Sequence, residues 1–188
     1  NGLPGDPDAK TRSAALKEAT LAKYGAASLE ELPVSWDGVS LDASERYGYK
    51  VFDRRFAELH AEQDSQRAAM RLAALVSPLA AFQNVSAGLA GTDLAHHRHF
   101  TDAAEAHRRV AVNQLNADLI ANGAGKTYEG YNADRRLWEA VPAFAYAPPG
   151  VGVLAGAWLL DLAILLAWCL GGVGLLVFAG RRLAREGA

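Results

Sequence analysis

The chain has 188 residues, of which 51% are hydrophobic, 21% charged and 9% aromatic, and its formal net charge is −2. This composition excludes a disordered chain, a collagen-like repeat and a disulfide scaffold, and the length excludes a large multidomain enzyme. The sequence has no basic stripe, so nucleic-acid binding is not expected. Residues 151–180 contain one charged side chain, Asp161, whereas residues 1–150 are rich in charges.

The first elements of the chain are short. Asp8 is a suitable N-cap for a helix that runs to Tyr24 and stops at Gly25. Ser28 and Glu31 have the spacing of a capping box, which predicts a single turn that Pro33 ends.

Residues 34–41 alternate apolar and polar side chains around Asp37-Gly38. An Asp-Gly pair within such an alternation predicts a small β-hairpin, and a loop with the same turn is the alternative. Asp42 and Glu45 then form a second capping box. The apolar side chains after them recur at helical spacing, which predicts a long helix over residues 43–76 that ends before Ser77-Pro78.

Three further helices are predicted before residue 150. Residues 79–94 form an apolar helical stretch, and residues 96–122 resume a polar helix. Residues 123–130 read as a loop, after which Asn132 caps a short helix that Pro142 closes. The inward face of the second of these helices is predicted to consist of Phe100, Ala104, Val110, Ala111, Leu115 and Leu119.

Residues 151–180 are long and apolar enough to cross a bilayer. Arg181, Arg182 and Arg185 follow this segment, and positively charged flanks stay in the cytoplasm. The pattern therefore predicts an extracytoplasmic domain (residues 1–150), a transmembrane helix (151–180) and a basic cytoplasmic tail (181–188). Because the single methionine is Met70 and no earlier span or signal is present, we expect the chain to be cut from a longer protein.

Within the apolar segment, Asp161 falls near the outer boundary of the hydrocarbon. Two interpretations stay open: an interfacial carboxylate, or an acid that pairs helices or faces a pore. Small residues recur at intervals of four at Ala163, Ala167 and Gly171, which indicates packing against another helix.

The main polar cluster of the sequence lies around the run of histidines that begins at residue 96. Its candidate site residues are Asp93, His96, His97, Glu105 and Arg108. The spacing predicts that Asp93 caps a helix and that Glu105 and Arg108 pair on one helical turn. The apolar face formed by Phe100, Ala104 and Ala111 leads us to expect that this pair is buried against the long helix, and a solvated surface pair is the alternative. A zinc site at Asp93, His96, His97 and His99 is the alternative, although four converging ligands are not evident.

No nucleophile–histidine–acid order, phosphate loop or paired-cysteine motif is present, so we expect neither catalysis nor a cofactor or metal in this chain. The fold predicted is all-α: an extracytoplasmic helical bundle or stalk with long antiparallel helices and a small irregular or hairpin element, followed by one transmembrane helix.

These segments resemble the extracytoplasmic part and last transmembrane helix of bacterial ABC-2 type transporter permeases, in the uncharacterised branch with domain of unknown function 3526. The resemblance rests on Ser77-Pro78, the run of residues 90–93 with His96, Phe100, Glu105 and Arg108, and Trp138 with Pro142. His107 stands where that family pattern leads us to expect a tyrosine.

The resemblance implies a permease subunit of the bacterial inner (plasma) membrane. Its ectodomain would act as an outward lid or a docking platform for an extracytoplasmic partner. ATP would be hydrolysed on a partner ATP-binding cassette subunit, and a second permease subunit would complete a homo- or heterodimer. The alternative function is a membrane-tethered helical sensor or receptor, or a histidine-based metal-binding module.

Overall fold

The computed structural model describes residues 2–150 and 152–186, and within these ranges the chain is all-helical, without strands. The predicted all-α class is therefore confirmed. The α-helices are α1 (Ala9–Tyr24), α2 (Trp36–Val76), α3 (Pro78–Ala90), α4 (Leu94–Asn122), α5 (Arg135–Ala140) and α6 (Leu159–Glu186). Single 3-10 turns lie at Leu29–Glu31, Tyr128–Gly130 and Ala155–Ala157.

Capping residues set both ends of α1, as the sequence predicts. Asp8 accepts a hydrogen bond from the Thr11 backbone N–H at 2.7 Å, and Gly25 ends the helix with a φ of 65°. The next capping box forms only in part. Glu31 accepts a hydrogen bond from the Ala27 N–H at 3.0 Å, while the Ser28 side chain caps nothing.

The predicted hairpin at residues 34–41 is wrong, because α2 already begins at Trp36. The Ser35 hydroxyl accepts a hydrogen bond from the Gly38 N–H at 3.1 Å and so caps the new helix. The Ser35 N–H donates to the Ile120 carbonyl of α4 at 3.0 Å. Asp42, the predicted second cap, lies inside α2 and pairs with Arg46 at 2.7 Å.

The break between α2 and α3 falls where the sequence predicts it. Helix α2 ends at Val76, and Pro78 occupies the first turn of α3, where its missing N–H leaves no bond unmade. Helix α4 begins at Leu94, two residues before the predicted start, and α5 is capped by Asp134 rather than Asn132.

The predicted inward face of α4 is only partly correct. Leu119 is buried, whereas Val110 is 51% exposed and Phe100 is 44% exposed.

The chain divides into two compact units, which are described separately. The first consists of Asn1–Leu59 with Ala104–Ala145, and the second of His60–Ala103 with Tyr146–Ala188. In the first unit α4 runs antiparallel to α2, because Ile120 contacts the start of α2 and Arg109 pairs with Asp53 further along it.

The second unit contains α3 and α6, which pack against each other. Its small apolar core consists of Ala74, Ala81 and Ile164, so the helices approach through short side chains. Helix α6 is long and apolar enough to cross a membrane. It begins at Leu159 rather than near the start of the predicted segment, and Val151 lies outside the described residues.

Two glycines of α2 lead to opposite expectations. A Cβ at Gly38 would lie 2.9 Å from the Ile120 backbone nitrogen, whereas a Cβ at Gly48 would meet nothing within 4 Å. Gly38→Ala should therefore destabilise the protein by about 1–3 kcal/mol through overpacking. Gly48→Ala should stabilise it by about 0.5–1 kcal/mol, since alanine is the better helix former.

Thermal unfolding of the full chain in detergent, followed by circular dichroism, measures both changes. Two variants that shift the midpoint in the same direction would contradict the close α2–α4 contact at Gly38.

Candidate functional site

The one charged side chain in the apolar part of α6 is fully buried in the second unit. Asp161 has 0% exposure and accepts hydrogen bonds from the Asn84 side-chain amide at 3.1 Å and from Arg71 Nε at 3.5 Å. These partners belong to α3 and α2. The geometry thus favours the helix-pairing acid over the exposed interfacial carboxylate.

Two arginines of α2 also hold the turn that leads into α6. Arg67 Nη2 donates to the Ala157 carbonyl at 2.9 Å, and Arg71 Nη2 donates to the same oxygen at 2.5 Å. Ala157 lies in the 3-10 turn just before α6. Arg67 and Arg71 are four residues apart and so share one helical face. We call Arg67, Arg71, Asn84 and Asp161 the junction cluster.

Asp93 extends this polar region to the start of α4. One oxygen, Oδ1, accepts hydrogen bonds from the His96 backbone N–H at 2.9 Å and from His96 Nδ1 at 2.5 Å. The other oxygen, Oδ2, is buried without a hydrogen bond and lies 4.0 Å from Arg67. The predicted cap is therefore confirmed.

The pKa of Asp93 is the balance of two opposing effects. Burial favours the neutral form, but the two hydrogen bonds from His96 and the positive charge of Arg67 together lower the pKa below its ordinary value. Asp93 is therefore a carboxylate at neutral pH. Because a carboxylate only accepts hydrogen bonds, His96 Nδ1 must carry a proton.

A cavity of about 490 Å³ opens beside His96 in the second unit. His97 and the aromatic rings of Phe100 and Tyr146 also line it. These two rings meet edge to face with centroids 5.1 Å apart, and the Tyr146 hydroxyl lies 3.1 Å from His99 Nδ1. The cavity therefore combines apolar walls with a few polar atoms, as small-molecule sites do.

The histidines do not converge as the alternative zinc site requires. His96 Nδ1 is engaged by Asp93, His99 lies against Tyr146, and His97 is exposed. In residues 2–150 and 152–186, no three His, Cys, Asp or Glu side chains lie close enough together to hold a metal ion.

Glu105 and Arg108 belong to the first unit, so the predicted polar cluster is divided between the two units. The pair forms with two hydrogen bonds of 2.7 and 2.9 Å, but it is not buried as predicted. The Arg108 side chain is 45% exposed and that of Glu105 is 15% exposed. The contact with α2 is made largely by Arg109, which donates to Glu105 at 2.8 Å and to Asp53 at 2.5 Å.

These bonds change the acidity of Glu105. The hydrogen bond from Arg108 lowers its pKa most, burial opposes this, and Arg109 lowers the pKa further, to about 2.

Arg109 and Asp53 were not among the residues predicted from sequence. Neither were Arg67, Arg71 and Asn84, although the four-residue spacing of the two arginines was a usable signal.

A family model described as "Domain of unknown function (DUF3526)" matches residues 5–147. No curated protein and no solved structure matches the chain.

Removing the charge of Asp161 should destabilise the second unit. Asp161→Asn leaves the half-buried Arg71 without its counter-charge, which should cost roughly 2–4 kcal/mol. Asp102→Asn, an exposed change of the same type, should stay within about 0.5 kcal/mol. Thermal unfolding of the full chain in detergent compares the two, and equal midpoints would show that the buried pairing adds no stability.

The Glu105 network should respond asymmetrically to mutation. Glu105→Gln weakens bonds to two arginines and should cost about 1–3 kcal/mol at pH 7, whereas Arg108→Gln should cost at most about 1 kcal/mol because Arg108 is exposed and Arg109 remains.

The same network has a defined pH window. Because the folded-state pKa is lowered from 4.5 to about 2, the stabilisation is complete above pH 4.5 and is lost as the pH falls towards 2. The difference in midpoint between wild type and Glu105→Gln should therefore shrink across this range. A constant difference would exclude the ionised carboxylate as its source.

Proposed function

The chain belongs to the DUF3526 family, and from this premise we propose that it is a membrane-spanning permease subunit of an ABC-type transporter. ATP would be hydrolysed by a separate ATP-binding cassette subunit, and no catalytic group of this chain is required. The family resemblance of residues 28–41, 77–109 and 137–144 suggests this class. The observation that carries the proposal is the junction cluster, which ties a membrane-type helix to two other helices.

Exposed apolar surface near the α2–α3 break supports a membrane location. Several large hydrophobic side chains of α2 and α3 are exposed there, namely Leu72, Leu75, Val76, Leu79 and Phe82. Many apolar side chains of α6 are exposed as well. Contiguous apolar surface of this kind is typical of regions covered by lipid or by other membrane helices. The α2–α3 break would then reach the outer face of the bilayer.

The junction cluster suggests how such a subunit would work. The fully buried carboxyl group of Asp161 can separate from the half-buried Arg71 only at a free-energy cost, because it would lose a partner inside an apolar region. Helices α2, α3 and α6 should therefore move together when the partner ATPase changes state. The polar helices would act as an outward lid or as a docking platform for an extracytoplasmic component.

The proposed orientation of α6 in the membrane follows from the positive charges at its C-terminal end. Arg181, Arg182 and Arg185 would keep the C-terminal end of α6 in the cytoplasm, with residues 1–150 outside the bacterial inner membrane. A second permease subunit would complete the transporter. The open face of Ala163, Ala167 and Gly171 suits close helix packing, because a Cβ at Gly171 would meet nothing within 4 Å.

Cysteine labelling in whole cells tests the orientation. In a Cys169→Ala background, Asp102→Cys should react with a membrane-impermeant maleimide in intact cells. Arg185→Cys should react only after the membrane is permeabilised. The reverse pattern would contradict the proposed topology.

Purification of the tagged full chain from native membranes in mild detergent tests the function. We expect an ATP-binding cassette subunit and vanadate-sensitive ATPase activity to co-purify. Asp161→Asn should lower that activity several-fold, while Asp102→Asn should leave it unchanged. A chain that purifies intact without any ATPase would overturn the transporter proposal in favour of a sensor.

A further inference from the structure

His96 is a buried histidine whose Nδ1 is hydrogen-bonded to Asp93, whereas its Nε2 has no hydrogen-bond partner among the described residues. Its side chain is 9% exposed, and its Nδ1–H donates to Asp93 at 2.5 Å. A carboxylate that holds Nδ1–H fixes both the tautomer and the orientation of the ring. In the neutral ring Nε2 is then an acceptor, and it has no hydrogen-bond partner in the described part of the chain.

The free edge of this ring faces the cavity wall. A Cβ placed on Gly91, which lines the cavity, would lie 3.6 Å from His96 Cδ2 and 3.8 Å from Nε2. Gly91 has a φ of 71°, so glycine is favoured there by the backbone as well. The absence of a side chain at this position leaves the acceptor open to the cavity.

The remaining walls are mainly apolar. Leu89, Phe100, Tyr146, Pro148 and Pro149 surround the open space of about 490 Å³. A polar ligand would leave its own groups unpaired against these walls, whereas a wholly apolar ligand would leave Nε2 without a partner. The complementary molecule has a flat or compact apolar body and one hydrogen-bond donor.

We propose that the cavity beside His96 binds a small aromatic or alicyclic hydroxyl compound, whose O–H donates to His96 Nε2 while its ring packs against Phe100, Tyr146 and the two prolines. Asp93 is a positioning residue that holds the imidazole in the accepting tautomer. This site does not depend on the proposed transport function, since a sensor or a permease would present the same cavity.

Phenol and anisole form a matched pair of probes, because the methyl group of anisole removes the donor and keeps the ring. The full chain, labelled with ¹⁵N in its histidine rings and held in detergent, is titrated with each probe and followed by NMR. Phenol should shift the His96 Nε2 signal saturably and bind about 3- to 10-fold more tightly than anisole. Partitioning into detergent favours the more apolar anisole, so it cannot produce this preference.

Three variants make the test specific. His96→Asn retains an N–H for Asp93 but lacks the Nε2 acceptor, and should abolish the preference for phenol, read from the ring signals of His97 and His99. His107→Asn, whose residue packs on Phe144 outside the cavity, should change nothing. Leu89→Trp enlarges an exposed wall residue and should reduce binding of both probes, with unfolding unaffected.

Equal or stronger binding of anisole would overturn the proposal, as would the absence of saturation by phenol. Retention of the phenol preference in His96→Asn would also overturn it. Should His96→Asn fail to fold, Leu89→Trp carries the test, and an undiminished phenol shift of His96 in that variant contradicts the site.

Discussion

The architecture of the second unit depends on a carboxylate that has been removed from water. A carboxyl group in an apolar helix is tolerated only if its polar atoms find hydrogen-bond or charged partners locally. Asn84 and Arg71 supply those partners from two different helices. Asp161 therefore ties the start of α6 to α2 and α3, while Arg67 and Arg71 hold the entry turn at Ala157.

Short side chains are the condition that makes this pairing feasible. The core next to Asp161 consists of Ala74, Ala81 and Ile164, so the helix axes approach closely enough for an amide and a carboxylate to meet. Gly88 contributes in the same way, because a Cβ there would lie 2.4 Å from the Trp158 ring. Apolar burial in this unit serves mainly to bring polar atoms within bonding distance. Trp158 is buried, but many other large hydrophobic side chains, such as Leu79 and Phe82, are exposed.

Local signals in the sequence predicted the helix boundaries where they depend on one or two residues. Asp8, Gly25 and Ser77-Pro78 act through their own backbone and neighbours, and all of them hold in the structure. The hairpin failed because an alternation of eight residues is weaker than the cap at Ser35 and the contact of Gly38 with Ile120, a residue far away in the chain. Such a contact has no local signature.

The polar site residues were likewise predictable from the sequence only where a local pattern marks them. Asp161 was conspicuous as the one charge in an apolar run, and Asp93 as a cap. Their partners on other helices required the tertiary structure. The Glu105 pair was correctly expected, but its burial was not, since Arg109 rather than Arg108 makes the closer bond to α2.

The two hydrogen bonds to the Ala157 carbonyl constrain the number of residues between Ala157 and Asp161 more strictly than they constrain which residues these are. Arg67 and Arg71 hold the Ala157 carbonyl, and Asp161 follows within the first turn of α6. Each residue of an α-helix turns the chain by about 100°. An insertion or deletion between these two points would therefore rotate the carboxylate away from Asn84 and expose it to an apolar surface. The exposed side chains of Leu159 and Leu160 can be exchanged, but the number of residues between the held carbonyl and the acid must stay the same.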